Sequence, residues 1–277
     1  MRSVIVPGLL ATALLLGQPD DASKFAARLL QNQYSLRIRD AQFTGTGAQV
    51  LKTAIAQSRF VLLGEMHGLA EGAQFAGAVC KIAASEGFHT LTLEEGPLVT
   101  AELERWAKRP DARQQLVGFL KRYPESINMY NNEEEIEMLR QCGGFRFWGI
   151  NQEGLGAAGL MLDRILDTHP GSESTAAIRS LLQKNEAANA RARDSGRISE
   201  LYMISADDHD LAAAKAALTK DGSPQGRSLL ASFATRHEIN RAWPADAGRR
   251  FRLMKSLFAI EYAEAAGTKA DSPKVLL

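Results

Sequence analysis

The sequence predicts an α/β fold: a central, mainly parallel sheet flanked by helices, with a large helical insertion or subdomain. Three observations carry this. Apolar runs rich in β-formers, at Arg59 to Gly64, His89 to Glu94 and Phe145 to Ile150, end in glycine or polar residues. Between the first two lies Leu69 to Ser85, with Phe75, Val79 and Ile82 at helical spacing. From Ala157 to Ala266 nearly every segment reads as helix.

The elements follow in chain order. Ala22 to Gln33 and Ala48 to Gln57 read as short helices. Phe60-Val61-Leu62-Leu63 is uninterrupted apolar sequence, as expected of a strand buried on both faces. Gly87-Phe88 breaks the helix read at Leu69 to Ser85. The strands on either side make a βαβ unit, whose crossover is right-handed by rule. Glu133 to Gln141 is helical, and Gly143-Gly144 ends it before the third strand. Turns are expected near Pro170-Gly171, at 221–224 and at Trp243-Pro244, while the polar Glu186 to Arg197 reads as a solvated helix face or a connection. Lys274-Val275-Leu276-Leu277 opens another buried strand, so the chain reads as a fragment whose further C-terminal strands lie beyond it.

A chain of 277 residues with 45% hydrophobic and 23% charged residues is an ordinary globular composition. A net charge of +1 and scattered basic residues argue against a nucleic-acid or membrane-surface partner. Two cysteines are too few for a disulfide scaffold or a Cys-based zinc site. Cys80 sits in an apolar helical run and reads as a small buried hydrophobe; a bridge to Cys142 stays open for an exported chain. Residues 1–22 read as a secretory signal peptide: Arg2, then an apolar core from Val4 to Leu16, then Gln18-Pro19-Asp20-Asp21. Residues 23–277 then form a single α/β domain with its helical insertion at about 157–266. A periplasmic or secreted protein is expected, with no integral membrane segment once the signal is removed.

In open α/β sheets ligands bind outside the carboxyl ends of the strands. Gly64-Glu65-Met66-His67-Gly68 follows the first strand, Glu94-Glu95-Gly96 ends the second, and Asn151-Gln152-Glu153 ends the third. Gly64 and Gly68 let the backbone turn sharply beside a ligand. Glu65 and His67 share a side if that loop is extended, and Glu71 falls in the first turn of the next helix, where its charge is favourable. A histidine beside carboxylates is the usual general base for water. Of Glu94 and Glu95, at least one must escape the core for electrostatic reasons. His89, His169, His209 and His237 lack metal-ligand spacing and read as structural, and 207–210 reads as a helix N-cap cluster.

These residues carry a family likeness. Leu63-Gly64-Glu65-Met66-His67-Gly68 with Glu71, then Gly87-Phe88 and a strand ending at Glu94, resembles the erythromycin esterase-like family. More distantly, Gly64-x-x-His67 is similar to the haem-binding-uptake and Tiki-like superfamily. Arg250-x-x-x-Met254 resembles the esterase-like family's Arg-x-x-x-Met-x-x-Asn signature, with Leu257 in place of the Asn. Asn151 stands where the family has an acidic residue, and the chain ends before the second histidine motif.

The resemblance implies an exported hydrolase that cleaves an ester, in the best-known members a macrolide lactone. His67 would activate water, supported by Glu65, Glu71 and Glu94, with Gly64, Gly68, Glu95, Asn151 and Arg250 lining the substrate. No cofactor is expected, although a divalent metal is compatible with the residues. The partner is a small-molecule substrate, and the oligomeric state is open. Two rivals stand beside this reading. One is a metal-dependent peptidase that uses His67 and the glutamates as ligands. The other is a non-enzymatic periplasmic binder of haem or another small ligand, favoured slightly by Trp243, Phe251, Met254 and Phe258.

Overall fold

A computed structural model describes residues 19–64, 68–267 and 272–277, so most of the segment read as a signal peptide lies outside the described residues, as do Glu65 and His67. The chain begins with a helix, α1 (Pro19–Gln31), then a hairpin of β1 (Arg37–Arg39) and β2 (Gln42–Thr44), then α2 (Thr46–Ala56). The first sheet strand is β3 (Phe60–Val61). It is followed by α3 (Ala70–Ser85), β4 (Thr90–Leu93), α4 (Pro97–Ala107), α5 (Ala112–Arg122), α6 (Glu133–Gln141) and β5 (Arg146–Gly149). Five helices then run without a strand: α7 (Ala158–Leu166), α8 (Ser172–Ser195), α9 (Tyr202–Ser205), α10 (Asp208–Asp221) and α11 (Pro224–Ala242). The long α12 (Ala247–Gly267) returns to the sheet, and β6 (Val275–Leu276) enters it.

The sheet is four-stranded and all parallel, in the order β3-β6-β4-β5. The last strand therefore slots between the two that flank α3. Leu63 N–H donates to the Leu277 carbonyl at 2.7 Å and Leu277 N–H to the Val61 carbonyl at 2.8 Å, extending the β3–β6 ladder to the carboxyl edge. β4 is buried along its whole length, as a central parallel strand must be. β3 is not. It forms one edge of the sheet, and Phe60 is 40% and Leu62 74% exposed, which corrects the expectation of burial on both faces.

Local chemistry explains the helix boundaries. The Asn132 side chain accepts from Glu135 N–H at 2.9 Å, and the Glu135 carboxylate accepts from Asn131 N–H at 3.2 Å, a reciprocal cap that starts α6. Ser223 caps α11 through Gly226 N–H at 2.8 Å, ahead of Pro224 at the first helical position. Asp207 accepts from His209 N–H at 2.7 Å, as expected of an N-cap cluster. Residues 186–195 continue α8, and Gly196 ends it in the left-handed conformation (φ 69°).

Two hydrophobic clusters divide the interior. The first, in the α/β half, joins Val79, Phe88, Leu93, Leu103, Trp106 and Phe147. The second, in the helical half, joins Met161, Ile178, Met203 and Phe233. Cys80 in α3 and Cys142 just after α6 are joined by a disulfide, so the reading of Cys80 as a free buried hydrophobe is corrected. Phe258 of α12 packs against Trp148 of β5 and Phe60 of β3, whereas Phe251 of α12 and Trp243, which follows α11, are exposed. No helix among the described residues is long and apolar enough to cross a membrane.

Candidate functional site

Because all four strands are parallel, the segments that leave their carboxyl ends emerge together: Gly64, Leu277, Glu94-Glu95 and Ile150-Asn151. A crevice of about 380 Å³ opens at this edge. Gly64 and Gly68 line it, one on each side of residues 65–67, and Gly68 has a left-handed φ of +81°. Glu94 and Ile150 line it from β4 and β5, Phe75 and Ala76 from α3, and Met254 from α12.

Glu94 stands at the mouth with its side chain held by a neighbouring cation. Its carboxylate pairs with Arg250 of α12. Arg250 Nε–H also donates to Asn151 Oδ1 at 3.0 Å, and the guanidinium lies 5.8 Å from the centre of the Trp243 ring. Asn151 Nδ2 in turn donates to the Glu94 backbone carbonyl at 3.3 Å. An amide fits this position because it must accept on one side and donate on the other. A carboxylate would accept from Arg250 but offer nothing to the Glu94 carbonyl. The amide of Asn151 thus has a structural role, and three sequence-predicted residues, Glu94, Asn151 and Arg250, converge on one contact.

Glu95 points the other way. Its side chain is 0% exposed, so Glu94 is the member of the pair that reaches the surface, at 43% side-chain exposure. Glu95 Oε1 accepts from the backbone N–H groups of Asn128 at 2.6 Å and Met129 at 2.9 Å. Burial pushes its pKa up to about 7, the backbone donors oppose the rise, and the nearby Glu153 charge adds to it. The contact pins the loop between α5 and α6, which carries Tyr130 to the crevice wall. Glu95 therefore holds the wall without lining the space.

Glu153 is a buried carboxyl that the strand pattern places at the end of β5 but not in the site. It accepts from Leu98 N–H at 2.8 Å and Val99 N–H at 3.4 Å, capping α4 from 55 residues away. A Cβ at Gly96 would meet the Glu153 carboxyl carbon at 2.2 Å, so only glycine admits this approach. Burial raises the Glu153 pKa, and the charge of Arg236 on α11 counters it. The available signal was Gly96-Pro97, a helix start with no capping side chain of its own. Glu135, which also lines the crevice, was legible as the second half of the Asn132-x-x-Glu135 cap. Tyr130 and Thr92, both lining residues, carried no local signal.

Glu71 sits in the first turn of α3, as expected, but is exposed and is not among the described residues that line the crevice. His237 is buried with Nδ1 3.0 Å from the Met203 carbonyl, a structural contact within the helical half. Among the described residues, no group of three or more His, Cys, Asp or Glu side chains is arranged to hold a metal ion. Compared with family models, curated proteins and solved structures, the chain matches none.

Proposed function

We propose that this chain is an exported ester hydrolase of the erythromycin esterase-like type, with His67 as its general base. One observation carries the proposal: Gly64 and Gly68, which bracket Glu65-Met66-His67, line the same carboxyl-edge crevice as Glu94. His67 takes a proton from water as the water oxygen bonds to the ester carbonyl carbon. The tetrahedral intermediate collapses, the acyl C–O bond breaks, and the imidazolium returns its proton to the departing alkoxide. Acid and alcohol leave, and His67 is neutral again. Glu94, fixed in place by its ion pair with Arg250, is suited to orient the water or to stabilise the imidazolium. The Cys80–Cys142 disulfide supports export, since such bonds persist in oxidising compartments.

The test is turnover of a chromogenic ester by purified protein, with and without a chelator. Loss of the general base removes about 10²–10⁴-fold in rate, so His67→Ala is expected to lose at least 100-fold in kcat while keeping its thermal midpoint. A His67→Ala variant with undiminished turnover overturns the assignment. Turnover that disappears on chelation and returns with added metal replaces it with a metal-dependent reaction.

A further inference from the structure

The first helix of the described chain has no cover. α1 is 13 residues long, and every residue from Asp21 to its end at Gln31 is exposed. A helix of that length is marginal in water on its own, so α1 gains stability from a surface that covers it. Its apolar residues say which face is covered. Ala22, Phe25, Ala26 and Leu29 recur at helical spacing with Leu30 beside them, and Phe25, Leu29 and Leu30 are 63%, 52% and 68% exposed. Asp21 and Arg28 share one flank of this stripe, two turns and about 10 Å apart along the axis.

A matching surface lies in the helical half. α10 and α11 form a hairpin through Gly222-Ser223, and a cleft of about 410 Å³ opens between them. Ala212, Ala231 and Ala234 line it, small enough for a third helix to approach closely. The rim is bipolar. Asp208 and Glu238 stand at one end, where Asp208 pairs with Arg241 at 2.9 Å. Lys215 and Arg227 stand toward the other, where Arg227 donates to the Gly222 carbonyl at 2.6 Å. Asp208 and Lys215 are again two turns apart, so the opposite charges are spaced as on α1.

We infer that α1 of a second copy of this chain docks in the α10–α11 cleft, antiparallel to α10, with Asp21 on Lys215 and Arg28 on Asp208. The reverse orientation would set Asp21 on Asp208 and Arg28 on Lys215, like charge against like. The antiparallel one also opposes the two helix dipoles. A membrane surface suits α1 less well, because Asp20, Asp21, Lys24 and Arg28 cancel and leave no attraction for anionic lipid. Phe25, Leu29 and Leu30 leave on the order of 100 Å² each uncovered. A reciprocal exchange of two helices then buries on the order of 1,200 Å², the low end for a specific interface, which describes a weak dimer. α1 begins at Pro19 and crosses the end of the segment read as a leader, so the exchange needs a mature chain that keeps Asp21.

The exported, purified protein is followed by sedimentation velocity over a range of concentrations, and its intact mass gives the first residue. Wild type should pass from monomer to dimer as concentration rises. Leu29→Glu puts a charge into both contacts and should weaken the dimer at least about 100-fold. Ala231→Trp fills the cleft from an exposed position and should do the same. Asp21→Lys and Lys215→Asp should each weaken it about tenfold, because two symmetry-related pairs are reversed at once. The two charge reversals together should recover most of the wild-type affinity, a rescue that a merely structural effect would not produce. A wild-type chain that stays monomeric at its highest soluble concentration overturns the inference. A dimer lost in Leu29→Glu but indifferent to Ala231→Trp and to the charge reversals seats α1 elsewhere and also overturns it. The same holds for phosphatidylcholine vesicles that bind the chain without self-association, and for a mature chain that begins beyond Asp21.

Discussion

The two sides of the sheet differ in how firmly they are built. On the β4–β5 side, four consecutive residue pairs run from Thr90–Arg146 to Leu93–Gly149, and the strand ends are tied down by Asn151, Glu95 and Glu153. On the β3 side the ladder is two pairs long, β3 is an edge, Phe60 is only partly covered by α12, and Leu62 is largely exposed. The segment with the proposed base leaves from the lightly built side, whereas the carboxylate Glu94 stands on the firm one. Such a division suits a site in which one half is a fixed platform and the other can adjust, because regions with few buried apolar contacts open at lower free energy.

β6 pairs with both β3 and β4, and the disulfide adds a covalent tie between the two sides. The disulfide joins α3, which leads away from β3, to the end of α6, which leads into β5. The bridge closes a loop of 62 residues, and loop-closure entropy for that length amounts to about 4 kcal/mol. Replacing both cysteines with serine is expected to lower the unfolding free energy in denaturant titration by about that amount, the largest of the expected effects. Hydrogen exchange should rise first around β3 and α3. A loss spread evenly over β3 and β5 would break the contrast between the two sides.

The next effect concerns the platform alone. Glu95 has its folded-state pKa raised from 4.5 to about 7 by burial. A carboxyl with a raised pKa binds its proton more tightly in the folded state. Its contribution to stability is therefore complete below about pH 4.5 and is lost as pH climbs through 7. A difference of that size corresponds to about 3 kcal/mol. Relative to wild type, Glu95→Gln should flatten the decline in stability between about pH 4.5 and pH 8 by an amount of that order, measured by denaturant titration at several pH values. An unchanged slope would remove Glu95 from the platform's energetics and leave Glu153, whose pKa burial also raises, as the group responsible.

Much of this platform was readable in the sequence, and the reasons are local. β4 and β5 are compact runs of β-formers closed by breakers, and α6 is bounded by Asn132 and Cys142-Gly143, so pattern and capping agree. Glu94, Asn151 and Arg250 were singled out and do meet. The β1–β2 hairpin was missed because its turn uses Asp40 and Ala41, at φ 52° and 53°, where glycine or asparagine would have signalled it. The disulfide and the burial of Glu95 depend on proximity across 62 and about 33 residues, which no local pattern encodes. The exposure of β3 was misread for a related reason: an apolar run reports what a strand contains, not which place it takes in the sheet.

The smallest expected effect tests that last point. Leu62 follows β3 and is 74% exposed, so truncating it removes little buried surface. Leu62→Ser should change the unfolding free energy by less than about 0.5 kcal/mol, the usual range for a surface position. Leu93, its counterpart at the end of β4, is almost wholly buried, and Leu93→Ala is expected to cost about 2–5 kcal/mol. The pair is measured under one condition, by the same denaturant titration, so that the difference between them reports chiefly how much buried surface each position loses. If Leu62→Ser proves as damaging as Leu93→Ala, then β3 is covered in solution. The light side of the site would in that case be as firmly built as its partner.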